Sequence, residues 1–465
     1  MIGGFSRIFG LASVVLVSAA TACVAKDEGA AVTCRGDQSE TLTVQLSDAP
    51  RQIVFEGANL RGGLVLSGSG AVELVLRAGT TNACSRISAD KANVRISGEG
   101  VLVLEGSDTL MTVADLTVSA GVFSVKSTGA SASEATVVKV LGSFRQTGGE
   151  LNLDLGVRES RRLHGISLIN KAPSRFEVTG GRITAIVGGV KSAAFHGEKG
   201  SVDFKFSGAD LSVSAVLRGS EARLVETSGK QIYEGGNYSV TTPRNFAEAV
   251  KPRVFKADKS IRIKDGRFSV NAPGEGAEIF SSDDSVVIDG GSFGLVADDD
   301  CISAVNNITV NGGYLYALSL NDDVLDSNGD IVVNGGTILA FTTAKGHEAF
   351  DVDPMKTSAG TNPHRLTVNG GVIFATGGKD SDWPSEIVKG KGVDVWTGTN
   401  LKTFSYSGRV MTLKSDDGKH YSARLPWFKG KSCSILAACP ATVCEPEITN
   451  EAEVLETPSP VPLVD

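Results

Sequence analysis

The residues best placed to do chemistry in this chain are carboxylates that recur at a fixed offset from paired glycines. Glu278-Ile-Phe-Ser281 stands twelve residues before Gly290, Asp300-Cys-Ile-Ser303 twelve before Gly312, and Asp323-Val-Leu-Asp326 twelve before Gly335. Glu348-Ala-Phe-Asp351 fits the same template, with residues 352–364 inserted after it. One column therefore runs Glu278, Asp300, Asp323, Glu348, and a second runs Ser281, Ser303, Asp326, Asp351. Stacked about 4.8 Å apart, each pair of like charges costs on the order of 3 kcal/mol at an effective dielectric near 20. A shared cation reverses that sign. Oxygen ligands without clustered histidines select a hard cation, and flexible multi-carboxylate geometry favours calcium over magnesium. Asp298, Asp299, Asp322, Asn328, Asp330 and Asp353 offer further oxygens. The competing reading is a solvated acidic face whose side chains splay outward. The spacing in residues 321–330 is not that of an EF-hand loop.

The elements that must position these acids follow from a repeat. Val-Ile-Asp-Gly-Gly (287–291), Thr-Val-Asn-Gly-Gly (309–313), Val-Val-Asn-Gly-Gly (332–336) and Thr-Val-Asn-Gly-Gly (367–371) place their first glycines 22, 23 and 35 residues apart. Alternating apolar pairs flank each turn, Ile308/Val310 before it and Leu315/Ala317 after it, for example. Period-two alternation with β-branched residues marks strands with one buried face. Identical columns at a near-constant period favour stacking in parallel over hairpin sheets. We therefore expect an all-β chain: a single-stranded, right-handed parallel β-helix over residues 41–380, with rungs of about 22–25 residues. The column Asp289, Asn311, Asn334, Asn369 reads as a side-chain ladder at a bend, and Cys301 as part of a buried stack.

Composition and termini set the context. The chain has 465 residues, 53 Asp+Glu against 45 Lys+Arg, and 41% hydrophobic residues. The acidic balance argues against a nucleic-acid partner held by phosphate neutralisation. Arg7, the apolar stretch 8–20 and Ala20-Thr-Ala-Cys23 have the order of a signal peptide, residues 1–22. Ordinary cleavage after Ala22 and lipidation of Cys23 both fit, so the expected location is secreted or cell-surface, with a membrane reached only through an anchor at Cys23. Residues 23–40 read as a linker, 381–444 as a small β cap and 445–465 as a disordered tail. Of the six remaining cysteines, Cys34 with Cys84 and a pair among Cys433, Cys439 and Cys444 are the economical disulfides.

The segments Asp299-Asp-Cys-Ile-Ser-Ala304, residues 321–340 and Ala349-Phe-Asp-Val-Asp353 resemble those of bacterial carbohydrate-binding-domain proteins. These are secreted or lipid-anchored calcium-binding β-helices, distantly similar to pectate lyases. Residues 409–419 resemble the C-terminal cap of that family. The resemblance implies a calcium-dependent protein that binds a cellulose-like or polygalacturonate-like polysaccharide. Its metal ligands would come from Glu278, Asp299, Asp300, Asp322, Asp323, Asp326, Asp330, Glu348, Asp351 and Asp353. Tyr314, Tyr316 and Phe374 alternate with buried positions and make a candidate platform for sugar rings. A strand face covered by a loop, such as the 352–365 insertion, is the competing reading of that trio, and Trp383 and Trp427 read as cap packing.

A pectate-type lyase is the alternative. It would need a basic side chain within reach of an acidified C–H proton, and Arg253-Val-Phe-Lys256 occupies the template one rung below the acids. A charge-compensating surface pair is the favoured reading of Arg253 and Lys256. His347 reads as exposed loop. In a third reading, a surface adhesin, calcium only stiffens the solenoid.

Overall fold

The computed structural model describes residues 23–24, 31–46, 50–156, 161–169, 174–198, 200, 202–243, 251–352, 355–357, 360–362, 364–404, 409–425 and 431–450. The expected signal segment 1–22, Asp353, Trp427 and residues 451–465 lie outside them. Among the described residues every regular element is a strand, and the strands stack in parallel as a β-solenoid of about 13 turns. In the rungs that carry the acids, each turn has three short strands. Face A holds Glu278–Ser282, Ile302–Ala304, Leu325–Ser327 and Phe350–Val352. Face B holds Val286–Ile288, Ile308–Val310, Ile331–Val333 and Leu366–Val368. Face C holds Ser292–Ala297, Tyr314–Ser319, Thr337–Phe341 and Val372–Gly377.

Alternation explains the inside. In Ile308–Val310 the two aliphatic residues are buried and Thr309 points out, and Ile331–Val333 repeats this directly above it. Large rings stack from rung to rung through the middle of the solenoid. Phe255 lies parallel to Phe280 at 4.9 Å, and Tyr238, Phe268 and Phe293 follow one another at 4.5 and 5.2 Å. Each fully buried ring contributes about 1.5–3 kcal/mol by leaving water, so the core is continuous across rungs of different sequence.

The corners explain the glycine pairs. Gly313, Gly336 and Gly371 have φ of 92°, 90° and 91°. A Cβ at each would sit 2.7 or 2.8 Å from the carbonyl oxygen of the equivalent glycine one rung below. Both conformation and contact therefore exclude a side chain. The preceding residues form the expected ladder: Asn311 Nδ2 donates to Asp289 Oδ1 at 2.7 Å, Asn334 to Asn311 at 2.7 Å, and Asn369 to Asn334 at 2.8 Å.

Several boundaries move. Ala31–Gln38 already pairs in parallel with Arg51–Leu60, so the solenoid starts inside the expected linker; Val32 and Cys34 supply its inward residues. At the other end, Lys431–Cys439 lies antiparallel on Val372–Gly377, and Asp394–Phe404 pairs with it in turn. Pairing of this kind blocks the open edge of the last rung. A second sheet joins His420–Arg424, Arg409–Ser415 and Cys444–Asn450, so residues 445–450 belong to the cap rather than to a tail. Cys439 and Cys444 form a disulfide with Cα atoms 6.0 Å apart. The Cys34–Cys84 pairing fails on register: Cys34 stands over Phe55 and Cys84 over Leu60, five positions further along the same strand.

Candidate metal and carbohydrate site

The two acidic columns fall where the template puts them. On face A, Ser281 pairs with Ser303, Ser303 with Asp326 and Asp326 with Asp351. Three residues earlier on each rung come Glu278, Asp300, Asp323 and Glu348, which are only 7–9% exposed. They do not splay into water, which removes the solvated-face reading for that column. Between the columns, Cys301, Ile302, Val324, Leu325, Ala349 and Phe350 are inward and fully buried. The apolar pair thus anchors each rung while its flanking acids emerge side by side.

Two groups of oxygens converge. Asp299, Asp300 and Asp322 each bring a ligand atom within 4.8 Å of the others, and so do Asp322, Asp323 and His347. Asp322 belongs to both groups. The electrostatics are those of crowded acids. Burial, then the negative charges of Asp326, Asp299, Asp322 and Glu278, push Asp300 up to about 10. Burial and the charges of Asp323, Asp351 and Asp382 carry Glu348 to about 9. Asp299 rises to about 7 through burial and its hydrogen-bonded neighbour Asp322. Asp323 reaches only about 6, because the Glu348 amide donates to it at 2.6 Å and His347 bonds to it. Asp300 Oδ1 is enclosed with no hydrogen-bond partner.

His347 corrects one expectation. It is half-buried, with Nδ1 2.8 Å from Asp322 Oδ1 and 3.3 Å from Asp323 Oδ2, so it sits within the acidic group rather than on an exposed loop. Burial opposes its charge, but the Asp323 hydrogen bond and the surrounding carboxylates outweigh that and raise its pKa. Asp330 is not brought to the columns. Its carboxylate accepts from the Arg365 amide at 3.0 Å and lies 3.3 Å from His364, at the turn before face B. Asp298 also serves a turn, accepting from the Gly276 amide and Asn321. Asp353 lies outside the described residues.

Both basic candidates are engaged. Arg253 donates through Nε to Glu278 Oε1 at 3.0 Å and caps the lower end of the first column. Lys256 is ion-paired with Asp283. These are the contacts of charge compensation.

The expected aromatic platform is not open. Phe374 is 1% exposed beneath Ala437 of the antiparallel cap strand, packed with Met411, Leu413 and Ile435. Tyr314 and Tyr316 are partly buried against that same cluster. The covering segment is the cap: Met411, Leu413 and Ala423 of its second sheet lie in the same buried cluster as the three rings. The 352–364 insertion instead contributes a small hairpin, Met355–Thr357 with Gly360–Asn362. Trp383 packs partly buried against the solenoid core.

With that geometry in place, residues 225–381 match the model of a family described as carbohydrate-binding domain-containing protein. The matched stretch contains all four acidic rungs. No curated protein and no solved structure matches the chain.

Proposed function

Taking residues 225–381 as a carbohydrate-binding segment, we propose that this chain is an exported polysaccharide-binding protein whose acidic columns hold calcium. The supporting observation is coincidence in place: the family match spans the rungs on which Glu278 through Asp351 are stacked and half enclosed. The donor set fits the ion. Oxygens bound to one calcium at about 2.4 Å can lie up to about 4.8 Å apart, and Asp299, Asp300 and Asp322 meet that limit. The enclosed, unpartnered Asp300 Oδ1 is where a cation would replace a missing hydrogen-bond donor. Asp323, Asp326, Glu348 and Asp351 extend the same surface, and His347 holds Asp322 and Asp323 in place.

Calcium here would cancel the repulsion of the stack and present positive charge beside it. Uronate carboxylates or vicinal sugar hydroxyls can complete its coordination, which suits an acidic or neutral glycan. With Phe374 covered, recognition would rest on polar contacts at face A rather than on ring stacking. The leader sequence and Cys23 support export, with or without a lipid anchor.

Pull-down of the chain on insoluble cellulose and on polygalacturonate gel, with calcium and with chelator, tests this reading. Retention with calcium and release by chelator is the expected result. Retention on neither matrix, with melting still calcium-dependent, would replace it with a purely structural role for the ion. Growth of unsaturated-uronate absorbance on polygalacturonate would instead establish a lyase.

A further inference from the structure

The two columns of face A continue below the acids with different chemistry. On successive rungs the second column runs Ser167, His196, Glu226, Lys256, and the first runs His164, Ala193, Arg223. Directly above His164 stands Ala193, which is small enough to let the His164 ring lean up against His196. The two imidazoles stack at 3.7 Å between centroids, 11° apart. Ser167 Oγ is 3.0 Å from His196 Nδ1, which orients that ring and leaves Nε2 for another partner.

This cluster is poorly satisfied as it stands. His164 is 0% exposed, and neither of its ring nitrogens has a hydrogen-bond partner. Its Nε2 lies 3.3 Å from Glu134 Oε1, but the geometry is not that of a hydrogen bond. Glu226 Oε2 is likewise enclosed and unpartnered, with Arg223 Nη1 3.6 Å away. Native interiors rarely leave such atoms bare, and a group that stays bare signals an unseen partner. An anion would answer the arginine but not Glu226. A cation answers the imidazoles and the carboxylate together.

We infer that His164, His196 and Glu226 form a second metal site, distinct from the acidic columns and suited to a borderline divalent cation of the zinc class. One ligand atom from each lies within 4.8 Å of the others. Two imidazole nitrogens and one carboxylate oxygen are three protein ligands, which leaves a coordination position open. Such a set suits zinc and offers calcium too few oxygens. The rings are near-parallel, so both must rotate substantially about their side-chain torsions before their in-plane lone pairs can meet at one ion. The surrounding charge is balanced before an ion enters: Glu134, Glu221 and Glu226 face Arg162, Arg223 and Lys191, so the ion must be held by its own ligands. Lys256, next in the column, is turned to Asp283. Access exists as well, because His196 and Glu226 are only partly buried at the surface of face A.

The test is calorimetric titration of zinc chloride into the chelator-stripped full chain, in buffer holding millimolar calcium. One zinc per chain is expected. His196→Gln and Glu226→Gln should each weaken it about 100-fold or more, with far-UV circular dichroism unchanged, whereas Asp300→Asn should leave it intact. Cobalt(II) in the same site should give the intense visible bands of a four- or five-coordinate ion. Zinc binding that calcium displaces one for one, or that survives both substitutions, overturns the proposal. So does a folded wild-type chain that binds no stoichiometric zinc; water bridging would then account for the bare nitrogens. His164→Gln is informative if it folds, but the half-buried His196 carries the test on its own.

Discussion

One face of this solenoid is written twice. Around residues 164–226 its two columns carry imidazoles, a guanidinium and a single glutamate beside Ser167 and Ala193; from residue 278 to 351 the same columns carry six carboxylates and two serines. The backbone register does not change between the two stretches, and the inward position stays apolar: Phe195, Val225, Phe255 and Phe280 follow one another in one buried column. The lesson is a separation of tasks. Inward positions set stability rung by rung, and outward positions can be exchanged wholesale because nearest neighbours in a solenoid are the same two rungs whatever faces solvent.

The largest effect should therefore be the same in both regions. Phe195→Ala and Phe280→Ala each remove a fully buried ring that packs on the rung below, against Phe176 at 5.3 Å and Phe255 at 4.9 Å. Each should cost about 3–5 kcal/mol in chemical denaturation with chelator present. A cost below about 1 kcal/mol at either site would break the claim of one continuous core.

Next in size is the response to calcium, which should belong to one region alone. Calcium is expected to raise the melting temperature of the wild-type chain, and Asp300→Asn combined with Asp326→Ala to abolish that rise. The equivalent pair of changes in the other region, His164→Gln with His196→Gln, should leave it in place. Equal loss from both pairs would mean that the two stretches form one site.

The pH dependences should have opposite signs. In the acidic rungs, Asp300 at about 10 and Glu348 at about 9 are raised above their unfolded values. The folded chain there holds extra protons, so the stability they contribute is full below about pH 4 and is lost as pH rises toward 9 or 10. In the other stretch burial, then the charges of Arg162 and Arg223, hold His196 down to about 4, and His164 is lowered by burial, His196 and the same arginines. Glu134 and Glu226 also face these rings and oppose that only in part. Stability from the neutral imidazoles is full above about pH 6.5 and is lost as pH falls through 6.5 toward 4. Melting curves in chelator should show both limbs. His164→Gln with His196→Gln should flatten the acid limb, and calcium should flatten the alkaline one. If the histidine variant altered the alkaline limb instead, the assignment of sign to region would fail.

How much of this was legible depends on periodicity. The acidic rungs were readable because Asp-Gly-Gly or Asn-Gly-Gly marks each corner and the offset of twelve holds on three successive rungs, so the column assignments survive in the register. The histidine rungs lack that marker. His164, His196 and Glu226 stand 32 and 30 residues apart, with loops of differing length between them, so the columns drift out of phase in the sequence. A signal was nonetheless present: Ala193-Ala-Phe-His196, Arg223-Leu-Val-Glu226 and Arg253-Val-Phe-Lys256 share the apolar pair of Glu278-Ile-Phe-Ser281. His347 was missed because a neighbour in the chain cannot reveal that a ring folds back onto the rung below. The aromatic platform was misread for a different reason. Alternation correctly turns Tyr316 and Phe374 outward, but it says nothing of the cap residues Met411, Leu413 and Ala423 arriving to cover them.

The smallest effect should come from the border between the two regions. Arg253 is the last basic residue of the first column; its side chain is 39% exposed and bonded to Glu278. Arg253→Met keeps the apolar stem but removes the charge, and a pair open to water only on its arginine side contributes about 1 kcal/mol to stability. The cation sites should feel the change more clearly than the fold does. Loss of a positive charge about 10 Å away amounts to a few tenths of a kcal/mol in a water-like dielectric, and Glu278 is freed to join the acids above it. Calcium affinity should therefore rise about twofold to fivefold at low ionic strength. In roughly 0.5 M salt, where screening acts within a few Å, the gain should shrink toward what Glu278 adds by direct ligation. A titration showing no gain at low salt would mean that Arg253 is not coupled to the cation above it, and that the two stretches of face A behave as separate devices.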